Sequence, residues 1–149
     1  MDNIIQEFME EGINKLRDRV LKIVKNGDGL SEIVSEIKKE TDALGRGICV
    51  EIIEALDTSI RKDWLRKKNW NVERRNEKKT IITKLGEIKY TRTYYRSKDG
   101  KHYRHLVDEV LRVGVHERID EEVYADLAET GSDLSYRKSG KVACEVEKG

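Results

Sequence analysis

The sequence predicts an α+β chain: an N-terminal helical hairpin, a central small antiparallel β-meander, and short C-terminal helices. Three observations carry that expectation. Apolar residues recur every three or four positions from the N-terminus to Trp64, the spacing of a helix face. Near Trp70 the period falls to two, in runs rich in β-branched and aromatic residues. Helical spacing then returns after Asp120. The implied boundaries are 1–66 for the hairpin, 67–112 for a basic meander and 113–149 for the short helices.

The first helix is expected over residues 2–25, where Met9, Ile13, Leu16, Val20 and Ile23 line up one apolar stripe. Asn26-Gly27-Asp28-Gly29 breaks it with two glycines and two turn-formers. A second pattern starts near Ser31 with Leu30, Ile33, Ile37 and Leu44, and resumes as Ile48, Ile52, Leu56, Ile60 and Trp64. Gly45 and Gly47 fall between its halves, and each costs about 1 kcal/mol relative to Ala inside a helix, so a kink or break is expected there. Core packing between the two helices is the simplest use of these apolar side chains, and a coiled-coil interface is the alternative.

In the middle, Trp70 to Arg75 alternates weakly, while Thr80 to Leu85 and Ile88 to Tyr95 read as strands joined by Leu85-Gly86-Glu87. Ser97-Lys98-Asp99-Gly100-Lys101 is a turn, because Asp-Gly supplies the positive φ of a tight hairpin, and His102 to Val107 returns as a further strand. Asp120 is positioned to cap a helix running to about Glu129. Gly131 should end it, and Ser132 or Asp133 could start a last helix through Tyr136, Val142 and Ala143. The chain has no proline, so glycine is expected to supply the punctuation.

Of the 149 residues 40% are charged and 37% hydrophobic, a modest apolar supply for one domain or two small ones. No stretch approaches the roughly 20 uncharged apolar residues of a membrane span. The N-terminus carries no basic run before an apolar stretch, and Cys49 and Cys144 are far apart. Both features point to a cytoplasmic chain with reduced thiols and no membrane partner.

The net charge of +1 conceals a strong asymmetry. Residues 1–60 hold 8 Lys/Arg and 13 Asp/Glu, residues 61–104 hold 16 and 5, and residues 105–149 hold 6 and 11. A basic centre between acidic flanks points to a polyanion, although the flanks could simply neutralise the centre within the fold. The candidate nucleic-acid contacts are Arg74, Arg75, Lys78, Lys79, Lys84, Lys89, Arg92, Arg96, Lys98, Lys101 and Arg104, interleaved with Trp70, Tyr90, Tyr94, Tyr95 and Tyr103. Residues two apart share a face of a strand, so Lys89, Thr91 and Thr93 should oppose Tyr90, Arg92 and Tyr94. One face would then be buried by tyrosine rings while the other meets phosphate, where Lys and Arg gain affinity by releasing condensed counterions.

Other chemistries have weaker signals. His102 and His105 are three apart and would face opposite sides of a strand, so no metal site and no cofactor is expected. Asp108-Glu109 and Glu121-Glu122 are adjacent pairs that diverge on any regular element. No Gly-rich phosphate loop, Gly-x-Ser-x-Gly elbow or His-Glu-x-x-His occurs, and no catalytic residue is assigned.

Longer motifs follow one another in order: Asp57-x3-Arg61-x2-Trp64, Trp70-x-Val72, then Thr80-x2-Thr83-x2-Gly86-x3-Tyr90-x-Arg92-x-Tyr94-Tyr95. Asp99-Gly100, Leu106-Val107-Asp108-Glu109, Glu117-Arg118-Ile119 and Leu134-Ser135-Tyr136 come after them. Over roughly residues 50–140 the chain resembles the N-terminal part of bacterial insertion-sequence transposases of the ISLre type, also grouped as an uncharacterised protein family. The resemblance implies a DNA-binding and assembly segment of a cut-and-paste recombinase. Its ribonuclease-H-like, metal-holding catalytic domain would lie beyond this segment. Leu134-Ser135-Tyr136 resembles the first helix of a helix-turn-helix, but Cys144 to Gly149 does not supply the expected recognition helix. Arg112 and the proline-free stretch before Glu117 also depart from the family pattern.

The leading expectation is therefore a truncated transposase N-terminal region that binds DNA, at element ends, and is not itself an enzyme. Two alternatives stand beside it. One is a homo-oligomerisation module built on the N-terminal helices. The other is an RNA-binding β-domain whose tyrosines stack on unpaired bases.

Overall fold

The computed structural model describes residues 2–132. Helix α1 (Asp2–Asn26) and helix α2 (Leu30–Lys62) form an antiparallel hairpin, followed by the single-turn-and-a-half α3 (Trp64–Asn69). Strands β1 (Trp70–Thr83), β2 (Gly86–Ser97) and β3 (Tyr103–Arg104) make one antiparallel sheet in that order. A short α4 (Leu106–Val110) and a helix α5 over residues 121–132 complete the described chain. The α+β architecture is as the sequence predicts.

The hairpin breaks where expected, with Gly27 at φ 69° between α1 and α2. Gly45 and Gly47, however, do not interrupt α2, which runs unbroken for 33 residues. These glycines serve close packing. A Cβ on Gly47 would collide with the Phe8 ring of α1, and one on Gly45 would sit 3.1 Å from Leu85 Cδ1 of the β1–β2 turn. Gly12 admits Leu44 in the same way. The seam is fastened by Arg19, which donates to Glu36 at 2.5 and 3.0 Å. Of the stripe expected to pack there, Ile23 is buried, whereas Met9, Ile13 and Val20 stand exposed.

Asp63 ends α2 in extended backbone, and its carboxylate accepts from Arg66 N at 3.1 Å to start α3. The expected boundary at residue 66 thus falls inside a helix. Arg66 then ties the helices to the sheet, donating to the carbonyls of Arg61 and Trp70 and lying over the Tyr95 ring.

Strand β1 joins two runs that the sequence shows as separate. The join has register shifts between Val72 and Arg74 and between Arg74 and Glu77, with Asn76 at φ 57°. Lys84 and Leu85 form the turn, and Gly86, at φ 105°, begins β2. The strand expected over His102–Val107 is reduced to Tyr103–Arg104, because Leu106 and Val107 enter α4. Gly131 does not end α5, which includes it. The expected last helix through Tyr136 and the Leu134-Ser135-Tyr136 segment lie outside the described residues.

The core is built where α2 meets the sheet. Ile81, Ile88 and Tyr90 are buried against Cys49, Val50, Ile53 and Val113. Beside them α2 runs along the edge of β2 that β3 leaves open. Glu54 accepts from the N–H and hydroxyl of Thr91 at 2.9 and 2.8 Å, and Asp57 accepts from those of Thr93 at 3.0 and 2.7 Å. Two outward-pointing strand donors are satisfied by helix carboxylates instead of a further strand.

Candidate nucleic-acid interface

The expected division of β2 into a tyrosine face and a phosphate face does not hold. Tyr90 and Arg92 turn toward α4, where the Tyr90 hydroxyl donates to Asp108 Oδ1 at 3.1 Å and Arg92 pairs with Asp108 Oδ2. On the opposite face Thr93 and Tyr95 are fully buried. Both faces are occupied: α2 packs against Ile88 and Tyr90 and reaches round the edge to Thr91 and Thr93, α4 meets Tyr90 and Arg92, and Arg66 of α3 lies over Tyr95. Only Lys89 keeps an exposed position among the residues assigned to the phosphate face, and it lies 2.8 Å from Glu87.

Two of the eleven candidate cations are therefore withdrawn from the surface. Lys79 is 7% exposed and donates to the carbonyls of Gly114 and Val115 at 2.9 and 3.4 Å. Burial, with Arg92 nearby, pushes its ammonium below the ordinary lysine range against the opposing pull of Glu117. Arg92 is held by Asp108, and burial likewise draws its pKa down. A bridging lysine and a buried Arg–Asp pair are fold contacts, and neither is placed to meet phosphate.

The others remain exposed in different electrostatic settings. Lys84 lies 3.4 and 3.3 Å from Glu122 and Asp126 of α5, and those partners, Asp126 first, raise its pKa. Arg96 faces Glu73 at 3.5 Å, Arg104 faces Glu109 at 2.9 Å, and Lys98 donates to Asn71 Oδ1 at 2.6 Å. Arg74 lies 3.1 Å from Glu77 and over the Tyr94 ring, 5.0 Å from its centroid. Among the described residues, Arg75, Lys78 and Lys101 have no acidic partner within ion-pair distance. Surface pairs of this kind hold only about 0–1 kcal/mol, so a phosphate can compete for the paired cations as well.

The geometry around Lys78 is distinctive. β1 is an edge strand, and Ile82 turns its backbone outward to bond Arg118 O and Asp120 N, each at 2.8 Å. The alternation of a strand then directs the backbone groups of Thr80 and Lys78 outward too, with no strand beside them. An open groove of about 560 Å³ follows this edge, lined by Lys78, Thr80 and Ile82 on one side and His116 and Arg118 on the other, with Glu87 and Glu117 also at its wall. Charged side chains are a common guard against edge-to-edge pairing. The same arrangement offers N–H groups and cations to a phosphate chain.

Sequence reasoning missed several cations that the fold exposes. Lys67 and Lys68 stand on α3, and Lys98 N bonds Asn69 O at 3.0 Å, which brings that helix end to the β2–β3 turn carrying Lys98 and Lys101. Their adjacency to Trp70 was the available signal. Arg118 was visible only as part of a motif. The tyrosines are divided between two roles: Tyr90 and Tyr95 are buried, while Tyr94 stacks on Tyr103 with ring centroids 5.7 Å apart. His105 Nε2 lies 2.6 Å from Glu77 Oε2, and burial pushes the imidazole pKa down despite that carboxylate. No group of three or more His, Cys, Asp or Glu side chains is gathered for a metal among the described residues, and none of their helices is long and apolar enough to cross a membrane.

Comparison with known proteins places the chain in a family. The uncharacterised protein family UPF0236 matches residues 23–148. One UPF0236 protein of Caldanaerobacter subterraneus subsp. tengcongensis is 44% identical over 137 residues, covering 92% of this chain and 28% of the relative. A second from the same organism is 43% identical over 140 residues, covering 94% of this chain and 29% of the relative. The chain thus spans less than a third of the length of the curated relatives it matches. No solved structure matches it. With most of its length matched by the family and by these relatives, the chain belongs to the UPF0236 family.

Proposed function

We propose that this chain is a DNA-binding and assembly segment of an insertion-sequence transposase of the ISLre type, in the cytoplasm, with no catalysis of its own. In this reading the longer UPF0236 proteins carry the ribonuclease-H-like domain in the remainder of their length. The motif resemblance supports the transposase assignment.

One observation carries the DNA reading. Lys78 stands without an acidic partner among the described residues on an open groove along the β1 edge, with Arg118 and His116 across it and Glu87 and Glu117 at its wall, and Arg75 lies exposed farther along β1, past the register shift. Such an edge suits the phosphate backbone, which supplies affinity independently of sequence. Arg74 beside it, and Lys67, Lys68, Lys98 and Lys101 at the far end of the sheet, extend the basic surface.

The test is a fluorescence-anisotropy titration of duplex DNA, with unlabelled duplex and single-stranded RNA as competitors. The reading expects duplex to compete better, and binding to weaken when Arg75→Ala and Lys78→Ala are combined. Preferential displacement by single-stranded RNA would favour the β-domain alternative, for which Tyr103, the exposed member of the Tyr94–Tyr103 stack, is the available platform. Absence of binding at low salt would leave the edge charges as a guard against aggregation.

A further inference from the structure

The two-helix hairpin carries an apolar face that its own seam does not use. On α1 the residues at the seam include Gly12, Arg19 and Ile23, whereas Met9, Ile13, Val20 and Val24 lie about 100° round the helix, at about 100° per residue. On α2 the seam includes Glu36, Leu44 and Gly47, and Leu30, Val34 and Ile37 lie a similar angle away in the same rotational sense. In antiparallel helices equal rotations from a shared seam bring both stripes to one side of the hairpin. These side chains are exposed, Ile13 to 54%, Val24 to 72% and Leu30 to 77%, and nothing among the described residues covers them.

We infer that this face is the contact between two copies of the chain, packed with their α1 helices antiparallel so that two hairpins make a four-helix bundle. Three features point to a second copy as the occupant. First, charge along α1 is divided: residues 2–16 carry Asp2, Glu7, Glu10 and Glu11 against Lys15, and residues 17–26 carry Arg17, Arg19, Lys22 and Lys25 against Asp18. An antiparallel partner sets each acidic half against a basic half, while a parallel one sets like against like.

Second, the stripe is self-complementary. Met9 and Ile13 precede the midpoint between Leu16 and Arg17 by the same spacings at which Val24 and Val20 follow it. A twofold axis at that point superposes the α1 stripe on itself, as an isologous interface requires. Third, the size fits. The α1 stripe spans about 22 Å and the hairpin is about two helix diameters, or 20 Å, wide. A face of at most on the order of 450 Å² per partner falls below the roughly 800 Å² of a standard interface and suits a weak, reversible dimer. The inference is independent of the DNA reading, because it uses α1 and the first half of α2 and none of the sheet.

Sedimentation equilibrium on the full chain tests it, with circular dichroism to report helix content. The wild type should dimerise at micromolar concentrations. Ile13→Asp with Val20→Asp should leave helix content unchanged, since both sites are exposed, and raise the dimer dissociation constant about tenfold or more. The twofold sets Ile13 against the partner's Val20, so Ile13→Asp alone and Val20→Lys alone should each weaken the dimer, and the two together should restore it by placing opposite charges across the contact. A wild-type chain that stays monomeric overturns the inference, and so does a dimer indifferent to Ile13→Asp with Val20→Asp. Weakening by the charge variants with no recovery in combination overturns the antiparallel arrangement.

Discussion

Asp57 closes the open edge of β2 by accepting from both the backbone N–H and the hydroxyl of Thr93, at 3.0 and 2.7 Å. Asp57 is 5% exposed and Thr93 is fully buried, so water cannot replace either bond. Asp57→Ala should therefore destabilise the fold by about 3 kcal/mol, the scale of lost hydrogen bonds to a charged group with donors left unsatisfied. Thr93→Val, which keeps the backbone bond, should cost less. Urea unfolding followed by circular dichroism measures both, and equal costs would show that the hydroxyl carries the whole effect.

The unbroken course of α2 past Gly47 leads to an opposite-signed pair of effects. On propensity alone Gly47→Ala would stabilise the helix by about 1 kcal/mol. The Phe8 ring occupies the space a Cβ needs, so in the native protein the substitution should destabilise by about 1–3 kcal/mol. In a Phe8→Ala background the same change should turn neutral or favourable. Thermal melts of the four chains give the coupling directly.

Acid should weaken the fold through His105 before the carboxylates respond. Its imidazole is half-buried beside Arg92 and Lys79, and its folded pKa is lowered below 6.5. Between the folded and unfolded values the unfolded chain binds the extra proton, so stability rises with pH across that window and is lost as pH falls through the folded value. A His105→Gln variant should show a flatter dependence between neutrality and the folded pKa. Glu36 and Asp99 have lowered pKa values and act only further down, below their ordinary values of 4.5 and 3.8. Chemical denaturation at stepped pH separates the two ranges.

Lys79 supplies a contrast with its neighbour Lys78. Lys79→Ala removes the donor to Gly114 and Val115 and should cost about 1–3 kcal/mol of stability. It should leave the salt dependence of DNA binding as in the wild type. Lys78→Ala should do the reverse, with little change in melting temperature and a weaker salt response.

Sequence periodicity made the helical hairpin, the β1–β2 turn and the α+β class legible, because each rests on local spacing or on a glycine at positive φ. What it could not show is which packing a residue enters. Gly45 and Gly47 look like helix breakers in one dimension and are contact sites for Leu85 and Phe8 in three. Lys79 and Arg92 read as members of a basic run, yet tertiary acceptors draw one to the carbonyls of Gly114 and Val115 and the other to Asp108. Several motif residues quoted for the family resemblance are bound up in the same way: Asp57 with Thr93, Tyr90 and Arg92 with Asp108, Thr83 with the carbonyl of Gly86. Asp57, Tyr90 and Arg92 hold the sheet to its helices, Thr83 closes the β1–β2 turn, and the candidate phosphate contacts are mostly residues beside them. The open β1 edge depends on strand order and on the return of Arg118–Asp120 to Ile82, neither of which local spacing encodes.

The most direct test of the DNA reading is the slope of log affinity against log salt for a short duplex, measured for the wild type and for Arg75→Ala combined with Lys78→Ala. Each phosphate contact contributes roughly 0.9 to the slope. The account predicts a steep wild-type slope that falls by about 2 in the double variant while the melting temperature holds. An unchanged slope, or a wild-type chain that does not bind duplex at low salt, would contradict it.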